Sequence, residues 1–143
     1  MNGSNGRTVV DTEPLVAAVN ADDGHHAWAC EVFGKLPPPL VTCEAVLSEA
    51  QFLLHERGGD PVAVLEWVRD GMLKIDFSAD DEIDRVIELQ RAYRNLPMAF
   101  ADACLVRMTE LHDRSRMLTT DSDFRIYRRN RRQVIPLLAP PGI

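Results

Sequence analysis

The chain has 143 residues, enough for one domain and too few for two of ordinary size. Hydrophobic residues make up 45% and charged residues 27%, which excludes wholesale disorder, and no apolar run approaches a membrane span. The net charge is −6, yet the stretch from Arg114 to Arg132 carries seven arginines against Asp121 and Asp123, so that stretch is +5 and the remainder −11. A local basic strip on an acidic body can hold phosphates, or it can be an ordinary solvated face.

The first residues, Met1 to Arg7, show no apolar segment behind a basic end, so no secretion signal is expected. The spacing predicts alternating short strands and longer helices, the pattern of an α/β fold with a mostly parallel sheet. Thr8-Val9-Val10 predicts a strand ending at Asp11. Helices are expected over Glu13–Val19 and His25–Lys35. Pro37-Pro38-Pro39 forces an extended link into a second strand at Leu40-Val41-Thr42. Thr42 is a candidate cap for the next helix, which Gly58-Gly59 ends. Asp60-Pro61 opens another helix, followed by a strand at Met72–Ile75. Ser78 is expected to cap a long helix to about Asn95, with Ile83, Val86, Ile87 and Tyr93 on one face. Leu96-Pro97 breaks it. A further helix is expected from Met98 to His112, a fourth strand over Arg116–Thr119, and a last short strand at Val134-Ile135.

The three cysteines, Cys30, Cys43 and Cys104, are odd in number and far apart. They predict reduced, buried thiols in a cytoplasmic protein rather than disulfides or a zinc site. His25-His26 and His55 lack metal-ligand spacing. Trp28, Trp67 and Phe52 occupy helical apolar positions, where core or partner packing is the default. Asn2-Gly3-Ser4 is a formal glycosylation triplet that matters only in a secreted chain. No P-loop, Gly-x-Gly-x-x-Gly or Gly-x-Ser-x-Gly is present.

Four acids need a reason. Asp11 and Asp121 each end a predicted strand, at the sheet edge where open α/β folds bind ligands. Each could equally cap the helix that follows. Glu49 borders the apolar side of its helix, among Ala45, Val46, Phe52 and Leu53. Glu44 sits in that helix's first turn, where the dipole alone accounts for it. Asp102 is the only charge between Ala99 and Val106, and a carboxylate there is costly without a cation. Strand ends and helix starts converge along one edge, so the four could share a site. Clustered carboxylates stay ionised together only when cations neutralise them. Hard oxygen donors suit Mg²⁺ or Mn²⁺, and such ions serve phosphodiester hydrolysis.

These residues resemble the PIN-domain ribonucleases, and in particular the VapC-type toxins of bacterial toxin–antitoxin pairs. The matching pieces are Val9-Val10-Asp11-Thr12, the Leu40–Leu54 segment with Val46-Leu47-Ser48-Glu49, Leu96-Pro97-Met98-Ala99-Phe100-Ala101-Asp102-Ala103, and Leu118-Thr119-Thr120-Asp121-Ser122-Asp123-Phe124 running on to Arg128. Together they cover nearly the whole chain. The resemblance implies a single PIN-like domain over 1–143, a three-layer sandwich with about five mostly parallel strands flanked by helices. It implies Asp11, Glu49, Asp102 and Asp121 as ligands of Mg²⁺ or Mn²⁺, with Thr119 as the supporting hydroxyl. Asp123 is either a further acid or a cap. It also implies an RNA substrate, a cognate antitoxin and a homodimer. Glu13 departs from the family, whose members often carry Asn or Ser there. Arg125, Arg128 and Arg129 are the expected RNA contacts, with pairing to surface acids as the alternative. Two other readings stand beside the toxin: a housekeeping RNA-processing nuclease of the same fold, and an interaction protein whose acidic pocket docks a basic partner residue.

Overall fold

The computed structural model describes residues 6–143; the Asn2-Gly3-Ser4 triplet lies outside the described residues. In chain order the elements are β1 (Arg7–Val10), α1 (Thr12–Val19), α2 (His26–Lys35), β2 (Leu40–Thr42), α3 (Glu44–Arg57), α4 (Ala63–Arg69), β3 (Leu73–Ile75), α5 (Ile83–Ala92), α6 (Phe100–Glu110) and β4 (Ser115–Leu118). A 3₁₀ turn over Ser122–Arg125 follows, then β5 (Arg128–Arg129), β6 (Gln133–Val134) and β7 (Leu137–Leu138).

Five strands form one sheet in the order β3-β2-β1-β4-β7, and every neighbouring pair is parallel. A parallel sheet needs cover on both faces. Val9, Val10, Leu40, Leu73, Met117 and Leu118 are all buried beneath the flanking helices, each worth about 1.5–3 kcal/mol of burial. The first four helices pack among themselves, and α5 packs on α6. This topology leaves the carboxyl ends of β1 and β4 side by side, with Val10 in register with Leu118. Asp11 and Thr119 therefore leave the sheet together.

Local chemistry explains most boundaries. Gly58 ends α3 with φ +95°, a conformation glycine adopts without penalty. A Cβ on Gly59 would lie 2.5 Å from a Leu54 methyl, so any side chain there would force the buried Leu54 to shift. Several expectations need correction. Thr42 does not cap α3, whose cap position is Cys43; the Thr42 hydroxyl donates to the Val10 carbonyl at 3.1 Å and ties β2 to β1. The Ser78 hydroxyl accepts the Asp81 amide, but only turns follow, and α5 is shorter than the apolar pattern suggested. Its buried residues are Val86 and Leu89, while Ile83 and Ile87 are exposed. Val134 belongs to a small antiparallel hairpin with Arg128, and the fifth sheet strand is Leu137–Leu138 instead. Cys30 is exposed, unlike Cys43 and Cys104. Phe52 is 60% exposed, so it is not core. Among the described residues no helix is long and apolar enough to cross a membrane.

Candidate active site

The site is built from the first residue after each central strand and from two helices beside them. Asp11 is buried and caps α1: its Oδ1 accepts the Thr12 amide at 2.7 Å. Its Oδ2 accepts the Thr119 hydroxyl at 2.7 Å. That same hydroxyl oxygen accepts the Asp121 amide at 2.9 Å. Thr119, itself fully buried, thus couples Asp11 on one strand end to Asp121 on the next. Asp121 Oδ1 accepts the Asp123 amide at 2.9 Å, capping the 3₁₀ turn. Asp102, in the first turn of α6, accepts the Ala99 amide through Oδ2 at 3.2 Å. Capping takes one oxygen of Asp102 and one of Asp121 and leaves the other of each without a partner among the described residues. Among the described residues, Asp121 Oδ2, Asp102 Oδ1 and both Glu49 oxygens make no hydrogen bond or ion pair.

The electrostatics bind the group together. Burial pushes Asp11 up to about 7, against the Thr119 and Thr12 bonds, with Asp102 and Asp121 adding repulsion. Burial likewise pushes Asp102 up to about 6; the Ala99 amide opposes this, and Asp121, Glu49 and Asp123 reinforce it. Asp102 lies at the centre of these fields, acting on Asp11 and acted on by Asp121 and Glu49. Among the described residues, no three His, Cys, Asp or Glu side chains stand close enough to form a ready ligand set. Asp102 and its acidic neighbours feel one another's charge without forming such a set.

Two features distinguish this cluster from a structural charge network. None of its acids is paired with an arginine or lysine among the described residues. The donor set is entirely oxygen, which fits a hard divalent cation and not zinc or copper. A buried hydroxyl without a partner, that of Tyr127, stands in the field of Asp102, Asp123, Asp121 and Asp11.

Glu13 points elsewhere: it pairs with Arg57 of α3 at 2.9 Å. Its length is used to join α1 to α3. The arginine strip divides. Arg129 is only 5% exposed, and its guanidinium donates to the carbonyls of Asp113 and His112 at 2.9 and 3.0 Å. It is a buried brace and no RNA contact. Arg128 turns back to donate to the carbonyls of Arg125, Ile126 and Tyr127. Arg131 pairs with Glu88 at 2.7 Å. Arg125 is exposed and bonds the Ile143 carbonyl at 2.8 Å. Sequence reasoning gave Tyr127 no role. The available signal was its spacing three residues after Phe124, which puts both rings on one side of the turn.

The PIN domain family's pattern matches residues 8–130, and the chain belongs to that family. Among solved structures, the fold is similar to that of VapC20 from Mycobacterium tuberculosis, a sarcin–ricin-loop cleaving toxin. The TM-score is 0.71 and the identity 23%, over 81% of this chain and 91% of that one. No curated protein sequence matches this chain significantly.

Proposed function

We propose that this protein is a Mg²⁺- or Mn²⁺-dependent endoribonuclease, the toxin of a type II toxin–antitoxin pair. The whole chain acts as one PIN-like domain in the cytoplasm, as a homodimer, until a cognate antitoxin neutralises it. One observation carries the reading: the Asp11–Thr119–Asp121 linkage beside Asp102 and Glu49, an acidic edge with no paired cation among the described residues. Membership of the PIN family and the fold shared with an RNA-cleaving toxin support it.

Asp11, Glu49, Asp102 and Asp121 would hold the ion. When bound, such an ion supplies a nucleophile at neutral pH and offsets charge on the phosphodiester. The chain's own residues do the positioning. Thr119 locks the Asp11 rotamer and holds the Asp121 backbone at a fixed offset. The Thr12 and Asp123 amides occupy one oxygen each of Asp11 and Asp121, leaving defined lone pairs for the site. Exposed Arg125 at the end of the 3₁₀ turn and the half-buried Arg128 just after it meet RNA phosphates.

Asp102→Asn tests the reading. It should abolish growth arrest and metal-dependent RNA cleavage while leaving antitoxin binding measurable. Cleavage and toxicity that survive this change would defeat it. The same unpaired acids also suit a basic side chain from a partner, which is how an antitoxin would block them. A protein that binds such a partner but never cuts RNA would be the interaction protein. Cleavage without a neutralising partner would mark a housekeeping nuclease.

A further inference from the structure

A recess of about 320 Å³ opens between α5 and the β5–β6 hairpin. That is the small end of the range for ligand sites, and it suits one nucleotide. Its apolar lining is Leu89, Ala92 and Tyr93. Its charged lining is Arg85, Arg128 and Arg131 with Glu88. Arg85 is committed to the buried Glu110 at 2.6 Å, and it also pairs with Glu88. Arg131 reaches Glu88 at 2.7 Å, so two arginines offset that one acid. A concave site with surplus positive charge draws a polyanion even to a chain of net charge −6.

The two outer arginines are held with donors to spare. Arg128 donates to the carbonyls of Arg125, Ile126 and Tyr127 through Nη1 alone, so Nε and Nη2 have no partner among the described residues. Arg131 uses only Nη2, toward Glu88 Oε1. Its backbone is also strained. Its φ is +68° and that of Asn130 is +50°, a region that asparagine enters more readily than arginine, and glycine freely. The Glu88 pair offsets little of this, because the Arg131 side chain is 71% exposed and such pairs are weak. An arginine held where glycine would sit at ease has its explanation in the side chain.

The recess adjoins the acidic edge through a chain of rings. Tyr93 packs edge-on against Tyr127 at 5.1 Å, and Tyr127 against Phe124 at 5.3 Å, within the turn that Asp121 caps. The Tyr93 hydroxyl accepts the Arg128 amide at 2.9 Å, which fixes that ring and that arginine together. We infer that the recess is a nucleotide subsite: it takes one unpaired nucleotide of the RNA strand beside the one at the acids, the base against Tyr93 and Ala92, the phosphate on the free donors of Arg128 and Arg131. The inference rests on the nuclease reading above. Aromatic side chains hold the bases of single strands with little regard to sequence, and guanidinium forks match phosphate.

A short fluorescein-labelled oligouridine is the probe, with affinity read by anisotropy in chelator so that no strand is cut. Ala92→Trp fills the recess from an exposed position. Arg131→Gly removes one fork and relaxes the turn. Arg69→Gln, on the exposed side of α4, controls for loss of one positive charge. Ala92→Trp should bind the probe about tenfold more weakly, as for one lost base contact, with an unchanged melting temperature. Arg131→Gly should bind more weakly, with a salt slope smaller by about 0.7, yet melt at or above the wild type. Arg69→Gln should match the wild type. A folded Ala92→Trp or Arg131→Gly with wild-type affinity overturns the inference, as does an equal loss in Arg69→Gln. A change of oligomeric state in Ala92→Trp with RNA affinity intact also overturns it and gives the recess to a second copy of the chain. A wild type that neither binds the probe nor cleaves RNA with Mn²⁺ overturns the nuclease reading as well. A wild type that does both, with the two recess variants identical to it, overturns only this inference.

Discussion

Helix α6 carries two shielded carboxylates eight residues apart, about 12 Å along its axis, and they are treated in opposite ways. Glu110, at the C-terminal end, has a side chain only 1% exposed. Arg85 reaches it at 2.6 Å, Arg107 at 3.2 Å and the Asn130 amide at 2.6 Å. Burial alone would raise its pKa, but Arg85, that amide and Arg107 outweigh it and hold Glu110 below the usual carboxylate range. Asp102, at the N-terminal end, has one amide and three acidic neighbours, and is pushed up to about 6. A buried acid that brings its own cations is architecture. A half-buried acid with no such partner among the described residues is the kind the proposed ion would serve.

Substitutions at the two ends of α6 and along the acidic edge should separate these roles. The largest effect is expected at the acidic edge. Asp121→Asn should lower RNA cleavage by on the order of 10²–10³, while ion-free thermal stability stays level or rises because repulsion is relieved. A kinetic assay beside a melting curve reads both. Glu110→Ala should do the reverse. It removes the most buried partner of Arg85 and Arg107, which keep Glu88 and Glu82, and should cost about 1–3 kcal/mol, seen as a melting temperature lower by several degrees. Cleavage per folded molecule should hold. If Glu110→Ala silenced the enzyme without destabilising it, the division between the two ends would be lost.

The two ends should also respond to acid in opposite senses. Glu110 is lowered from 4.5, so its stabilising effect is present above that value and lost as pH falls through the depressed one. In Glu110→Gln the acid-side loss of stability should shrink, which a pH series of denaturant melts would register. The smallest effect belongs to the exposed arginines. Arg125→Gln should leave stability alone and flatten the salt dependence of RNA binding by about 0.7 in log–log slope, the value for one single-strand phosphate contact. Arg129→Gln should instead loosen the fold, since its guanidinium braces the His112 and Asp113 carbonyls.

Much of this was legible in the sequence, for a physical reason. Asp11, Asp102 and Asp121 stand where apolar runs meet turns, so their charge has no local excuse beyond a cap. β-Branched runs marked β1 and β2, and proline marked the link before β2. Other features depend on tertiary contacts that leave no local trace. β7 has two residues set between Pro136 and Pro140, too short for any period, and is a strand only because Met117 and Leu118 lie beside it. Arg129 reads as part of a solvated strip until the carbonyls it bonds are in place. Thr42 looks like a cap, but the carbonyl of Val10, 32 residues away, claims its hydroxyl. Ile83 and Ile87 complete an apolar stripe that α5 leaves exposed.

The central claim is that the acids of this edge lack a counter-charge among the described residues. Asp11 is raised from 3.8 to about 7 and Asp102 from 3.8 to about 6. Their stabilising contribution is therefore complete below about pH 4 and lost as pH climbs through 6 and 7. The direct measurement is the stability difference between wild type and Asp11→Asn from pH 4 to 8, in chelator and in saturating Mn²⁺. In chelator, the wild type should lose on the order of a few kcal/mol relative to the variant as pH rises, and Mn²⁺ should restore it. A difference that stays flat with pH and ignores Mn²⁺ would contradict the account.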